Sequence, residues 1–266
     1  MWIDKTGGAI IFLSLVTGGS PGLEAPDSFL HLRYRHMNSK ILSEIPLNFD
    51  LEQIRGKARI KEGSEHVRKL KGLLAEAQAI AKPKAFYRPA FIESRTEEQV
   101  AIDGIGFTSR VLRVNLERVH RVFPYVATCG LELEEWSRSF DDMLQKYWAD
   151  AIKEMALRTA VQYLHDHLIE QYRLGRISRM NPGSLPDWPL PEQRPLFALL
   201  GNGPGSIGIH LTDSFLMTPV KSVSGIWFPS EVSFESCRLC PRAQCPDRRA
   251  PYDQNLFDRQ YRKRTE

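Results

Sequence analysis

A helical region runs from Leu131 to about Tyr172, in which Leu144, Trp148, Ile152, Met155, Ala160, Leu164 and Leu168 recur at spacings of three to five. That spacing puts them on one apolar face of a helix. So long a helix gains its stability from what its face packs on, so the chain must supply a large opposing surface, and a sheet is the expected one. The pattern is less regular near Ser139, where the region is expected to break into two segments.

Strand patterns stand on both sides of this region. Ala85 to Ile92 and Gln99 to Ile102 are short and rich in Phe, Tyr, Ile and Val, with a polar turn between them. Arg121 to Thr128 reads as a buried strand, although Pro124 argues against a central position because proline cannot donate to a ladder. Further strands are expected at Arg176 to Met180, Ile207 to Leu211 and Lys221 to Phe228. Helices are expected over Ser64 to Ile80, ended by Lys82-Pro83, over Phe107 to Leu116, and over Glu192 to Leu200, with an amphipathic start at Ile41 to Ile54. Mixed elements without a repeating strand-helix rhythm predict an α+β fold, a twisted antiparallel or mixed sheet against long central helices.

The 266 residues are 42% hydrophobic and 26% charged, ordinary for a globular chain with a sizeable core. A net charge of +4 without long Lys/Arg blocks does not make nucleic acid the default partner. The apolar run Ala9 to Val16 is too short to span a bilayer and is weakly flanked for a signal peptide. A cytoplasmic protein without membrane attachment is expected. Residues 1–36 show no sustained helical or strand period and are expected to be a disordered leader or a start-site extension. An α+β domain is then expected over residues 37–232 and a Cys-rich tail over 233–266.

From Arg179 to Phe228 glycine and proline are dense around one Arg, so the backbone is held in specific non-helical shapes. Arg179-Met-Asn-Pro-Gly-Ser184, a short helix near Glu192 to Leu200, then Leu211-Thr-Asp-Ser-Phe215, Pro219 and Ser222-Val-Ser-Gly225 follow in one order. This series resembles the activation domain of cobalamin-dependent methionine synthase, whose pattern is R-x-x-P-G-Y, a helix, L-T-E-S-F, a Pro and S-V-S-G. The close likeness covers roughly 50 residues and extends loosely to the preceding 130 or so. It implies an S-adenosylmethionine site at Arg179, Asn181, Gly183, Ser184 and Trp227. Arg179 suits the ligand carboxylate through its planar fork, Gly183 permits close backbone approach, and the Trp227 ring suits the sulfonium cation. Ser184 and Trp227 stand where the family has Tyr, so two phenolic hydroxyls are missing. Asp213 and Ser214 are expected to act through turn hydrogen bonds, and His165, Asp166 and His167 to lie on a solvated face of the long helix.

Four cysteines remain: Cys129, Cys237, Cys240 and Cys245. The last three form a C-x2-C-x4-C cluster, which in a cytoplasmic protein suits metal ligands better than disulfides. Cys129, at the start of the long helical region, is either a fourth ligand favoured by the helix N-terminus or a small buried hydrophobe. Four thiolates suit a [4Fe-4S] cluster or structural zinc, and prolines after Cys240 and Cys245 favour the cluster.

The resemblance implies restoration of an inactive corrinoid by one electron and a methyl group from S-adenosylmethionine, with the protein positioning the methyl and excluding water. The chain carries no D-x-H-x-x-G motif for cobalamin. It is therefore expected to act on the cobalamin of a separate corrinoid protein or short-form methionine synthase, with an electron donor such as flavodoxin or ferredoxin. The alternative is a non-catalytic partner-binding module whose C-terminus a metal staples.

Overall fold

Seven of the eight residues of β6 (Arg121–Thr128) are buried, as an apolar run that can only sit between two layers. A computed structural model describes residues 39–245 and 248–262, so the expectation of a leader over residues 1–36 lies outside the described residues. In it β6 is the central strand. β2 (Lys84–Tyr87) and β3 (Ala90–Arg95) share one of its sides, and β10 (Ser222–Pro229) takes the other. β1 (Lys40–Leu42) extends the sheet beyond β2, β4 (Gln99–Ile102) and β5 (Ile105–Thr108) extend it beyond β3, and β7 (Ile177–Met180) lies outside β10. Every described pairing is antiparallel, and β8 (His210–Leu211) with β9 (Met217–Thr218) forms a separate hairpin.

Pro124 is in the central strand after all, and the register shows why this is tolerated. Its carbonyl accepts from the N–H of Arg88 at 3.1 Å. A strand residue points its nitrogen and carbonyl to the same side, so the proline's missing donor faces the Arg88-Pro89 step where β2 gives way to β3. The same step divides the expected strand over residues 85–92 in two. The helix expected from Phe107 starts later: Phe107 pairs with Val100 in β5, and the Ser109 hydroxyl accepts from Leu112 N–H at 2.9 Å to cap α3 (Arg110–Asn115). The amphipathic start over residues 41–54 resolves into β1, an irregular segment and α1 (Leu51–Lys57), capped by Asp50.

Helices cover both faces. α2 (Glu65–Ile80) packs with α4 (Leu131–Arg138) and the first half of α5 (Met143–Tyr172) around Leu70, Leu133, Trp148 and Ile152. The break between α4 and α5 falls where expected, and Asp142 caps the second segment through Leu144 and Gln145 N–H. The second half of α5 lays Ala160, Leu164 and Leu168 on Phe123, Tyr125 and Trp227. The opposite sheet face, with Val122, Val126, Ile226 and Phe228, is covered by α3 and α6 (Gln193–Leu200). Phe234, Leu256 and Tyr261 of the C-terminal segment join that same cluster, Leu256 from α8 (Leu256–Gln260). α7 (Gly203–Ser206) turns the Gly-Pro-Gly segment against β2: a Cβ at Gly203 would stand 2.1 Å from the Phe86 ring. Among the described residues no helix is long and apolar enough to cross a membrane.

Candidate functional site

β7 and β10 pair so that Arg179 lies directly opposite Trp227. Strand alternation sends both side chains to the α5 face of the sheet, where the guanidinium sits over the indole, 5.0 Å from the ring centroid. Among the described residues the Arg179 guanidinium has no carboxylate or hydrogen-bond partner. Both residues line a cavity of about 770 Å³ between α5, the β7–β10 edge and the segment from Ser233 to Cys237. Leu157, Val161 and Val223 give it an apolar side, while Gln162, His165 and Ser178 add polar groups.

His165 is not on a merely solvated face. Its ring centroid lies 5.2 Å from that of Trp227, and its Nδ1 is 2.8 Å from Asp166 Oδ1. Burial raises the Asp166 carboxyl, yet hydrogen bonds from His165 and Gln162 outweigh it and hold the group below the usual carboxylate range. His167 turns away, its Nε2 at 3.0 Å from the Tyr87 hydroxyl. Charges pair along the rim. Arg158 bonds Glu154 at 2.9 Å, Lys221 reaches the same carboxylate at 3.4 Å, Arg249 bonds Glu235 at 3.1 Å, and Arg176 donates to the Glu231 carbonyl at 2.9 Å. Glu154 stays below its ordinary pKa because Arg158, Lys57 and Lys221 outweigh the burial that would raise it.

Of the five residues expected at the site, Arg179 and Trp227 meet on the cavity wall, and the other three do not line it. Asn181 is spent on the fold, its Nδ2 donating to the Tyr125 hydroxyl at 2.8 Å and to the Ser224 carbonyl at 2.6 Å. Gly225 makes room for it: a Cβ there would fall 2.4 Å from Asn181 Nδ2 and 2.3 Å from the Met180 carbonyl. Gly183, at φ +83°, donates its N–H to the Trp188 carbonyl at 2.7 Å, and Ser184 is exposed on the closing turn. The bend thus anchors the end of β7. Trp227 is surrounded by Arg179, His165 and Tyr125, so its ring serves the guanidinium instead of offering an open face to a sulfonium. The other motif side chains are likewise structural. Ser222 bonds Thr128 at 2.9 Å, Ser224 bonds Gln193 at 2.6 Å, and Ser214 bonds Thr212 at 3.0 Å.

The four cysteines do not assemble. Cys129 is fully buried in the α2–α4 cluster, and burial pushes its thiol up to about 12, so it is a protonated apolar group. Cys129 belongs to the cluster of α2, α4 and α5, whereas Cys237 lines the cavity and Cys240 packs against the cluster of the opposite sheet face. Among the described residues no group of three or more His, Cys, Asp or Glu side chains is placed to hold a metal ion. The C-x2-C-x4-C loop is organised by Arg248, which donates to the carbonyls of Cys237 at 3.0 Å, Cys240 at 3.2 Å and Ala250 at 3.3 Å, and to that of Arg242. Burial raises the Cys237 thiol, but the N–H and guanidinium of Arg249 outweigh it and lower the group overall. This donor set does not fit the expected four-thiolate cluster or zinc site.

The residues missed by sequence reasoning are the α5 wall, from Glu154 to His165, and Phe234 and Arg249 of the tail, while Cys237, expected as a metal ligand, is a cavity wall instead. The wall has a helical signal at positions 154, 157, 158, 161, 162 and 165, one stripe beside the apolar face. No family model matches the chain, and no curated protein does. Among solved structures it is similar to the crystal structure of the MetH reactivation domain bound to AdoHcy. The TM-score is 0.48 and the identity 16%, with 75% of this chain and 81% of that chain covered.

Proposed function

We propose that the chain binds S-adenosylmethionine in this cavity and serves the reductive methylation of a corrinoid carried by another protein. One observation carries the reading: a guanidinium of the matched Arg-x-x-Pro-Gly motif is held over Trp227, without an anionic partner among the described residues, at the edge of a cavity of about 770 Å³. Ligand sites of small molecules are commonly about 300–1,000 Å³, mostly apolar with a few placed polar groups. The Arg179 fork takes the methionyl carboxylate by paired charge-assisted hydrogen bonds. Leu157, Val161 and Val223 offer apolar cover for the nucleoside, and Gln162 and His165 offer polar contacts on the α5 side.

The corrinoid, when carried by a partner, supplies the nucleophile that accepts the methyl group. This chain's own work is to bind the methyl donor, fix its orientation and shield it from water. A corrinoid protein or short-form methionine synthase is the proposed partner, with flavodoxin or ferredoxin as the electron donor. The cysteine geometry does not fit a metal cluster, so no electron relay through the tail is part of this reading.

Calorimetric titration with the nucleoside tests it. Arg179→Ala is expected to weaken binding by at least about 1.5 kcal/mol, the value of a charge-assisted hydrogen bond. Arg179→Lys should fall between the two, because it keeps the charge and loses the fork. Unaltered affinity in both variants rules out Arg179 as the carboxylate clamp.

A further inference from the structure

We propose that Cys237 and Cys240 form a dithiol–disulfide couple in the cavity wall, oxidised by a small-molecule disulfide. The inference goes beyond the nucleoside reading and stands without it, because it needs only the two thiols and the turn that holds them. Both are free and partly exposed. The 3-10 helix Ser236–Leu239 carries the argument: its hydrogen-bond pattern runs on to the Cys240 N–H, which donates to the Cys237 carbonyl at 3.3 Å. Such a helix has three residues per turn and a rise of about 2 Å each, so side chains three apart eclipse and their Cα atoms stand about 6 Å apart. A disulfide spans about 4.4–6.8 Å between Cα atoms. The Arg248 guanidinium fixes this arrangement by taking the carbonyls of Cys237 at 3.0 Å and Cys240 at 3.2 Å.

The surroundings give the two sulfurs different tasks. Cys237 lines the cavity, where an oxidant can reach it, and its Sγ accepts from the Arg249 N–H at 3.5 Å, a contact that favours thiolate over thiol. It is the attacking sulfur. Cys240 packs against the core cluster on the α3 and α6 face, which screens it from a bulky oxidant and makes it the resolving thiol. Cys129 is fully buried in another cluster and takes no part. In the first step the Cys237 thiolate attacks one sulfur of the small disulfide, whose S–S bond breaks, leaving a mixed disulfide and one thiolate. Cys240 then gives its proton to solvent, attacks Cys237 Sγ and expels the second thiolate. The pair has lost two electrons, and the small disulfide has become two thiols. On the cavity wall a thiolate is replaced by a neutral sulfur, so the redox state of the tail sets the charge beside Arg249.

The test takes the full chain, reduced and desalted without oxygen, exposes it to oxidised glutathione, and alkylates the remaining thiols in denaturant. Peptide mass spectrometry is expected to find Cys237 linked to Cys240, with Cys129 and Cys245 alkylated and no lasting glutathione adduct. Cys240→Ser should stop the second step and leave glutathione on Cys237. Cys237→Ser should slow the loss of free Cys240 at least about tenfold, because the screened thiol must then attack first. Thermal melting of each variant confirms that the fold persists. A stable glutathione adduct on Cys237 in the native chain, a link from either sulfur to Cys245, or four alkylated thiols overturns the couple. Protection of the tail thiols that a chelator relieves also overturns it, since a metal then holds them. None of these results bears on the nucleoside titration, so the two readings fail separately.

Discussion

Arg179 and Trp227 function as a pair. A guanidinium on a solvated edge samples many rotamers, whereas one stacked on an indole is held in orientation, and such contacts contribute about 0.5–2 kcal/mol. Trp227 is thus a positioning residue for the Arg179 guanidinium, the cation proposed to bind the ligand. Trp227→Leu is expected to weaken nucleoside binding by about that amount, roughly 2- to 30-fold. Trp227→Phe should keep most of the affinity, because it retains an aromatic face and removes an indole N–H that has no partner among the described residues. Titration of both variants, with thermal melting as a check on folding, separates loss of orientation from loss of stability. The motif's Pro-Gly bend is legible in sequence, but its work is to close β7 and seat Asn181 under Tyr125.

At the scale of elements, α5 both fills the core and walls the site. One stripe buries Ala160, Leu164 and Leu168, and the adjacent stripe lines the cavity. Glu154 ties this helix to the rest of the fold. It bonds Arg158, meets Lys221 at the foot of β10, and feels Lys57 of α1. Its folded pKa lies below the ordinary value of 4.5, so its ionised form stabilises the fold above that pH. The contribution is lost as pH falls through the depressed folded value. Glu154→Gln is therefore expected to be less stable than the native chain near about pH 7 and to approach it near about pH 3. Denaturant unfolding at both pH values measures the two differences, and a gap that persists in acid would assign the loss to packing instead of charge.

Over the whole molecule, the tail is built into the domain. Phe234 and Tyr261 enter the core, Phe234 N–H bonds Ser178 Oγ at 2.8 Å, and Arg248 gathers four carbonyls of the cysteine loop. Arg248→Met should free that loop, raising hydrogen exchange over residues 237–250 at least about tenfold, since hydrogen bonds to a charged donor contribute about 1.5–3 kcal/mol each. Because Cys237 and Arg249 wall the cavity, nucleoside affinity should fall in the same variant; rapid exchange with unchanged affinity would detach the tail from the site. The sequence by itself determined the α+β class, the long helix and its break, a buried strand over Arg121 to Thr128 and the motif that carries Arg179, because these follow from periodicity, caps and backbone-restricting residues within a few positions of one another. Tertiary structure alone decided that Pro124 fits a central strand, that Cys129 is buried apart from the partly exposed thiols of the tail, and that Trp227's ring is taken by Arg179. It also made one stripe of α5 and a piece of the tail into cavity walls. Those outcomes depend on strand register and on which side chains from distant segments meet, and no local pattern encodes either.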